Sequence, residues 1–248
     1  MTHKSTISYT QFSLFLNLVI ARFQEVYSTN RQLAIDETLI KFKGKLHFRQ
    51  FIPIKLGRFV TKAFTLAESK SGYVLSSKIY TSRENNEVQR DLGRKVVLSV
   101  FQPYLGKGFC AFMDNYYTSV ALFQELEDRK TLACGTMWSN RLPKEICELK
   151  EKCVKELERE EFLYRQKGRL TCLTWRDRKP VHFLAAIPTS KTDSTVVQWS
   201  VKENGRWVKR DFNRPGVVDL YNTYMGGVDV SDQRAVAYAR VMNGVVWY

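Results

Sequence analysis

Three aspartates stand where an aspartate is either unusual or chemically useful. Asp36 lies in the middle of Gln32–Phe42, QLAIDETLIKF, whose partial apolar–polar alternation reads as a strand. Aspartate is depleted in strand interiors, and a buried, unpartnered carboxylate is costly. Asp36 therefore faces a polar site or a cation, or else lies on the solvated face of an edge strand. Its neighbour Glu37 points to the opposite face of an undistorted strand and cannot share a ligand with it. Asp114 ends the apolar run Gly108–Met113, GFCAFM, and opens DNYYTS, which leads into a helix. In open α/β sheets ligands bind at such strand ends, although Asp-Asn is equally a turn initiator. Asp229 follows two glycines in Tyr221–Gln233, YNTYMGGVDVSDQ, with Asp232 at i+3 on the same face of a helix. An acidic first turn also simply suits the positive end of a helix dipole.

Taken together, the three positions describe one chemistry. Carboxylates contributed singly by a first strand, a later strand end and a helix can converge at one edge of a sheet. Hard oxygen ligands of this kind suit Mg²⁺ or Mn²⁺. Two such ions a few ångströms apart activate an attacking oxygen and stabilise a leaving oxygen in phosphodiester chemistry.

The elements that must position these residues can be read from periodicity. Residues 8–27 place Phe12, Phe15, Leu16, Val19, Ile20 and Phe23 at helical spacing, predicting an amphipathic helix packed on the core. Strands follow at 32–42, 58–68 and 72–80, then a helix over 85–100, a buried strand over 108–113, a helix over 118–130 with Thr118 or Ser119 as N-cap, and a strand over 132–137. The order β-β-β-α-β-α-β predicts an α/β fold, a mixed sheet flanked by helices. Pro143–Glu161 is dense in charge and weakly patterned. Short strands come next, and Asn204-Gly205 between WSVKE and RWVKR signals a hairpin. Residues 141–214 thus read as a β-rich insertion before the last helix. The expected division is 1–31, a helical segment; 32–140, the first part of the core; 141–214, the insertion; and 215–248, the returning helix.

Composition narrows the partners. Lys and Arg number 39 against 25 Asp and Glu, a net charge of +14 that favours a polyanion. A hydrophobic content of 44% allows a real core and argues against global disorder. The five cysteines include no C-x-x-C pair, which leaves structural zinc spacing absent and suits free thiols in a reducing compartment. The start lacks a signal-peptide pattern, and the apolar run Phe12–Ile20 is far too short to span a bilayer. A soluble cytosolic or nuclear protein is the resulting expectation.

At IDETL around Asp36, MDNYYTS around Asp114 and YNTYMGGVDVSDQ around Asp229, the chain resembles the piggyBac transposases. RFVTKAFTLAES, ACGTMWSNRLP and GRLTCLTWRDRKPVHFLAAIP resemble that family's intervening blocks, so the likeness runs from about residue 12 to about residue 240. The resemblance implies an RNase H-like catalytic domain in which Asp36, Asp114 and Asp229 bind two Mg²⁺ (or Mn²⁺) ions, with Asp232 a further acidic position. It implies cut-and-paste DNA transposition in the nucleus: water cleaves a strand at the transposon end, the freed 3′-OH forms a hairpin on the opposite strand, and the opened end joins a TTAA target. It also implies double-stranded transposon-end and target DNA as partners, a homodimer, no membrane, and an insertion that embraces the transposon end. Trp138 departs from a position where the family commonly has a basic residue. The family continues into further helices and a cysteine-rich module, so a catalytic core fragment is the expectation here.

Basic clusters interleaved with aromatics mark the expected DNA contacts. They are Lys43, Lys45, Arg49, Lys55 and Arg58 after the first strand, Arg141 at the start of the insertion, and Lys202, Arg206, Lys209 and Arg210 around the Asn-Gly turn. Two other readings fit the same residues. One is a domesticated or decayed derivative that binds DNA or protein without cleavage; the other is a β-rich interaction module whose acidic residues are surface features.

Overall fold

A computed structural model of the chain describes residues 9–41, 50–52, 59–81, 91–142, 157–187, 194–203 and 205–239. Strands β1 (Gln32–Lys41), β2 (Gln50–Phe51), β3 (Phe59–Glu68), β4 (Val74–Ile79), β5 (Cys110–Met113), β6 (Leu132–Met137), β7 (Phe162–Lys167), β8 (Leu170–Arg176) and β9 (Pro180–Ala185) form one sheet. Its order is β2-β3-β1-β5-β6-β9-β8-β7, with β4 also on β3. The antiparallel pairs β1–β3 and β3–β4 give way to the parallel pairs β1–β5 and β5–β6, then to antiparallel β6–β9, β8–β9 and β7–β8. This is a mixed α/β sheet in which β1 joins the antiparallel β3 to the parallel β5. Strands β10 (Ser194–Glu203) and β11 (Arg206–Pro215) make a separate antiparallel ribbon.

The segment expected as a β-rich insertion therefore supplies two things. Strands β7 to β9 extend the main sheet through β6, and β10 and β11 form the ribbon. The ribbon closes by the two-residue turn the sequence indicates, with Glu203 opposite Arg206 and Gly205 at φ +82°. Asn204 lies outside the described residues, as do most of Pro143–Glu161, residues 82–90 and the tail from 240.

Helices cover both faces of the sheet. Alternation along β1 and β5 puts Leu33, Ile35, Ala111 and Met113 in one core cluster with Val97, Val100 and Phe101 of α2 (Leu92–Phe101) and Leu122 and Phe123 of α3 (Val120–Asp128). Ser119 caps α3 by accepting a hydrogen bond from the Leu122 amide. On the other face Cys110, Phe112, Cys134 and Phe183 pack with Val217 and Val218 of α4 (Gly216–Tyr224). Burying this many large side chains on two faces supplies the main stabilising term, at roughly 25 cal/mol per Å² of apolar surface.

The first helix, α1 (Tyr9–Val26), forms as its spacing predicts but docks less fully than expected. Leu16 packs on Ala63 and Ile79, and Gln24 donates to the Leu75 carbonyl at 2.7 Å. Phe12 and Phe15 of the apolar stripe stay exposed. The helix lies on β4, too near the sheet's margin for the whole stripe to reach the core.

Candidate active site at the ends of the parallel strands

The parallel register decides where the first two aspartates meet. Ile35 is paired with Met113, so one residue further on Asp114 leaves β5 beside Asp36. Neighbouring strands lie about 4.8 Å apart. By the same alternation Asp36 and Asp114 share the face of Ala34 and Phe112, opposite the α2–α3 core. Helix α5 (Gly227–Ala239) packs over this face against β1 and β3 and carries Asp229 in its first turn.

The two glycines before Asp229 do different jobs. Gly226 stands between α4 and α5 with open space where a Cβ would go. Gly227 is pressed onto the sheet: a Cβ there would lie 2.9 Å from the Glu68 carbonyl oxygen and 2.9 Å from Ser69 Cα. Gly72, at φ +65° in the turn after β3, meets the same helix from below, with a built Cβ 2.8 Å from the Ser231 amide nitrogen. Arg234 adds a hydrogen bond from α5 to the Ser71 carbonyl. Close backbone approach therefore sets the height of Asp229 above β1.

Asp114 is held by its own loop. Its Oδ1 accepts from the Tyr116 amide at 2.9 Å, and its carbonyl accepts from Thr118 Oγ1 at 2.8 Å. Arg141 Nη1 donates to the carbonyls of Asn115 at 2.9 Å, Tyr116 at 2.9 Å and Thr118 at 3.2 Å. The residue expected as a phosphate contact is thus built into the wall of the aspartate site. Gly135 on β6 makes room for the loop, since a Cβ there would collide with Thr118 Oγ1 and the Met113 carbonyl.

The electrostatics are those of partly buried carboxylates set close to one another. Burial pushes the Asp36 carboxyl up to about 6; the Glu37 amide, donating to its Oδ1 at 2.8 Å, opposes this, while the charges of Asp114, Glu37 and Asp229 add to it. Asp114 is also raised, by burial first and by Glu37 among the charges. Burial and the same carboxylates keep the Tyr117 phenol neutral, and its buried hydroxyl has no hydrogen-bond partner among the described residues. Glu37 lies on the opposite face as expected, paired with Lys62 at 2.8 Å. Lys62 also sits over the Phe64 and Tyr116 rings, and its charge lowers Asp114. It is a site neighbour that sequence reasoning missed; the available signal was a single lysine inside the apolar strand FVTKAFTLAE.

Asp229 and Asp232 line one open hollow on α5 with Gln233 and Val236. The all-oxygen donor set and its raised carboxyl group suit a hard divalent cation. Among the described residues no three His, Cys, Asp or Glu side chains stand close enough together to hold a metal ion. The donors fit in kind and in facing, and their side chains do not form a closed cage. Of the expected DNA contacts, Lys202, Arg206, Lys209 and Arg210 are exposed on the ribbon. Lys43, Lys45, Arg49, Lys55 and Arg58 lie outside the described residues.

A family model described as Transposase IS4 matches residues 2–248. The chain is a piggyBac-type member of this transposase family. Human PiggyBac transposable element-derived protein 3 is 26% identical over 223 residues, covering 87% of this chain and 36% of that protein. Human PiggyBac transposable element-derived protein 2 is 28% identical over 165 residues, covering 64% of this chain and 27% of that protein. The piggyBac transposase structure described as a synaptic complex with hairpin DNA superposes with a TM-score of 0.74 at 24% identity, covering 92% of this chain and 45% of that one, and shows the shared fold. The chain thus spans about a third of these curated relatives. Transposases of this family are typically metal-dependent. No helix among the described residues of this piggyBac-type chain is long and apolar enough to cross a membrane.

Proposed function

We propose that this chain is the catalytic core of a piggyBac-like DNA transposase, performing metal-dependent strand cleavage and strand transfer at TTAA sites. One observation carries the reading: Asp36, midway along β1, and Asp114, just past the end of the adjacent parallel β5, stand side by side on the face over which the helix of Asp229 packs. Asp36, Asp114 and Asp229 would hold Mg²⁺ or Mn²⁺, as a pair of ions, with Asp232 one turn further along. Bound there, the ions would activate the attacking oxygen and stabilise the leaving one.

The chain's own residues prepare that chemistry. The Tyr116 amide orients the Asp114 carboxylate, and Arg141 with Thr118 keeps its loop from opening. Gly227 and Gly72 bring Asp229 down towards the strands. Lys202, Arg206, Lys209 and Arg210 would hold duplex phosphates, joined by Lys43, Lys45, Arg49, Lys55 and Arg58. The partners in this reading are transposon-end and target DNA and a second copy of the chain, in the nucleus, with 32–140 and 215–248 as the catalytic core and 141–214 as the DNA-embracing unit.

The test is strand nicking of a transposon-end duplex in Mg²⁺ or Mn²⁺. Asp114→Ala is expected to lower the rate by at least about 100-fold, as for loss of a group that stabilises the transition state. Equal, metal-independent rates for both proteins would sink the catalytic reading. A decayed derivative that binds DNA without cleaving it is the second reading, favoured by the open spacing of the carboxylates among the described residues. It predicts salt-sensitive DNA binding with no nicking in either protein.

A further inference from the structure

The β10–β11 ribbon borders a cleft that plays no part in the aspartate site. Its volume is about 560 Å³, and its walls include Trp199, Trp207, Arg159, Arg178 and Lys202. That size falls in the roughly 300–1,000 Å³ range of small-ligand sites. The two indoles differ. Trp199 is a fixed wall, its ring 5.2 Å from that of Phe212 and 6.5 Å from that of Trp175. Trp207 is 73% exposed and stands directly across the ribbon from Lys202. An aromatic of that size left in water forgoes a large burial term.

The cations come from different parts of the chain. Arg159 precedes β7, with its guanidinium 4.7 Å from the Phe212 ring and 3.7 Å from Asp177. Arg178 lies in the turn between β8 and β9, and Lys202 near the end of β10. Aromatic faces combined with guanidinium and ammonium groups match a nucleotide, whose base stacks and whose phosphate takes charged donors. In an intact duplex the base faces are covered by their neighbours. Only an unpaired or extruded nucleotide offers a face to an indole.

We infer that this cleft binds one unpaired DNA nucleotide, its base stacked on Trp207 and its phosphate held by Lys202 and Arg178. The inference rests on the DNA-acting reading above and adds a second site to it. A single-stranded end and a base extruded from a mispaired duplex present the same chemistry, and the test separates them.

The experiment measures binding of the full chain to three labelled DNAs: a single strand carrying 2-aminopurine, a fully paired duplex, and a duplex with one mispaired position. Trp207→Ala is expected to weaken single-strand binding about ten-fold and to abolish the stacking quench of 2-aminopurine. Duplex affinity should change by less than about two-fold, because phosphate contacts dominate it. Trp207→Phe should restore most of the loss. Since Trp207 is exposed, the variants keep the fold, which circular dichroism checks. Loss on the mispaired duplex alone assigns the cleft to an extruded base; loss on the single strand assigns it to an end. Duplex binding that persists while Trp207→Ala leaves the other two DNAs unaffected, or a loss equal on all three, overturns the nucleotide cleft and leaves the DNA reading standing. Failure of the wild-type chain to bind any of the three overturns both.

Discussion

Two carboxylates on adjoining strands receive opposite treatment. Glu68 sits opposite Leu33 and Thr65 opposite Asp36, which places Glu68 three residues, or about 10 Å, along the sheet from Asp36. Glu68 is almost fully buried, yet it accepts from the Ser71 amide at 2.6 Å and from Asn30 Nδ2 at 3.1 Å. Burial alone would raise its carboxyl group, but these hydrogen bonds outweigh it and hold the group below its ordinary value. Asp36 is raised, by burial first, with one amide donor against it and three acidic neighbours adding to it. A carboxylate whose donors are all in place shapes a turn. One that is left short of donors beside like charges is a position prepared for something to bind.

The comparison can be broken at the helix that spans both regions. Gly227→Ala has to displace backbone at Glu68 and Ser69, so a loss of about 2–3 kcal/mol in denaturant-measured stability is expected. Gly226→Ala meets nothing and should stay within about 1 kcal/mol of wild type. Equal losses at the two glycines would mean that close packing is not what seats α5.

Asp36→Asn tests the unsatisfied end. A carboxyl group whose folded pKa is raised contributes stability below its unfolded value of 3.8 and loses it as pH rises through about 6. The metal-free variant should therefore be more stable than wild type by on the order of 2 kcal/mol above pH 6, and should lose that advantage near pH 4. An advantage independent of pH would show that the Asp36 charge is not the cause.

Glu68→Gln sharpens the satisfied end, with the opposite sign. A lowered carboxyl group contributes stability above its unfolded value, lost as pH falls through the folded one. The variant should lose about 1 kcal/mol at neutral pH. The gap from wild type should narrow under acid, as followed by thermal melting at several pH values. A gap that widens on acidification would contradict the hydrogen-bonded turn.

Much of this was legible before any coordinates. The strand Leu132–Met137 appears with the bounds its sequence predicts, and the Asn-Gly turn places Glu203 opposite Arg206. These are short-range signals of side-chain alternation and turn chemistry, and they survive folding because nothing distant competes with them. Arg141 is a case that the sequence does not carry: its Nη1 donates to three carbonyls of a loop some 25 residues earlier, a contact that only the fold creates. Strands β7 to β9 are another: the sequence marks them as strands, and only the pairing of β9 with β6 joins them to the main sheet.

What the sequence determined by itself was the kind of chemistry: three aspartates in strand, strand-end and helix-start settings, a strong positive charge and the order of elements. What only tertiary structure decided was which of them share a face of the sheet and what surrounds each carboxylate. Parallel register sets Asp114 beside Asp36, and backbone contact at Gly227 and Gly72 seats the helix of Asp229 on β1 and β3. The physical reason is that pairing register and desolvation are properties of residues far apart in the chain. A carboxylate's charge is written in its residue type, whereas the cost of keeping that charge depends on what the fold puts around it.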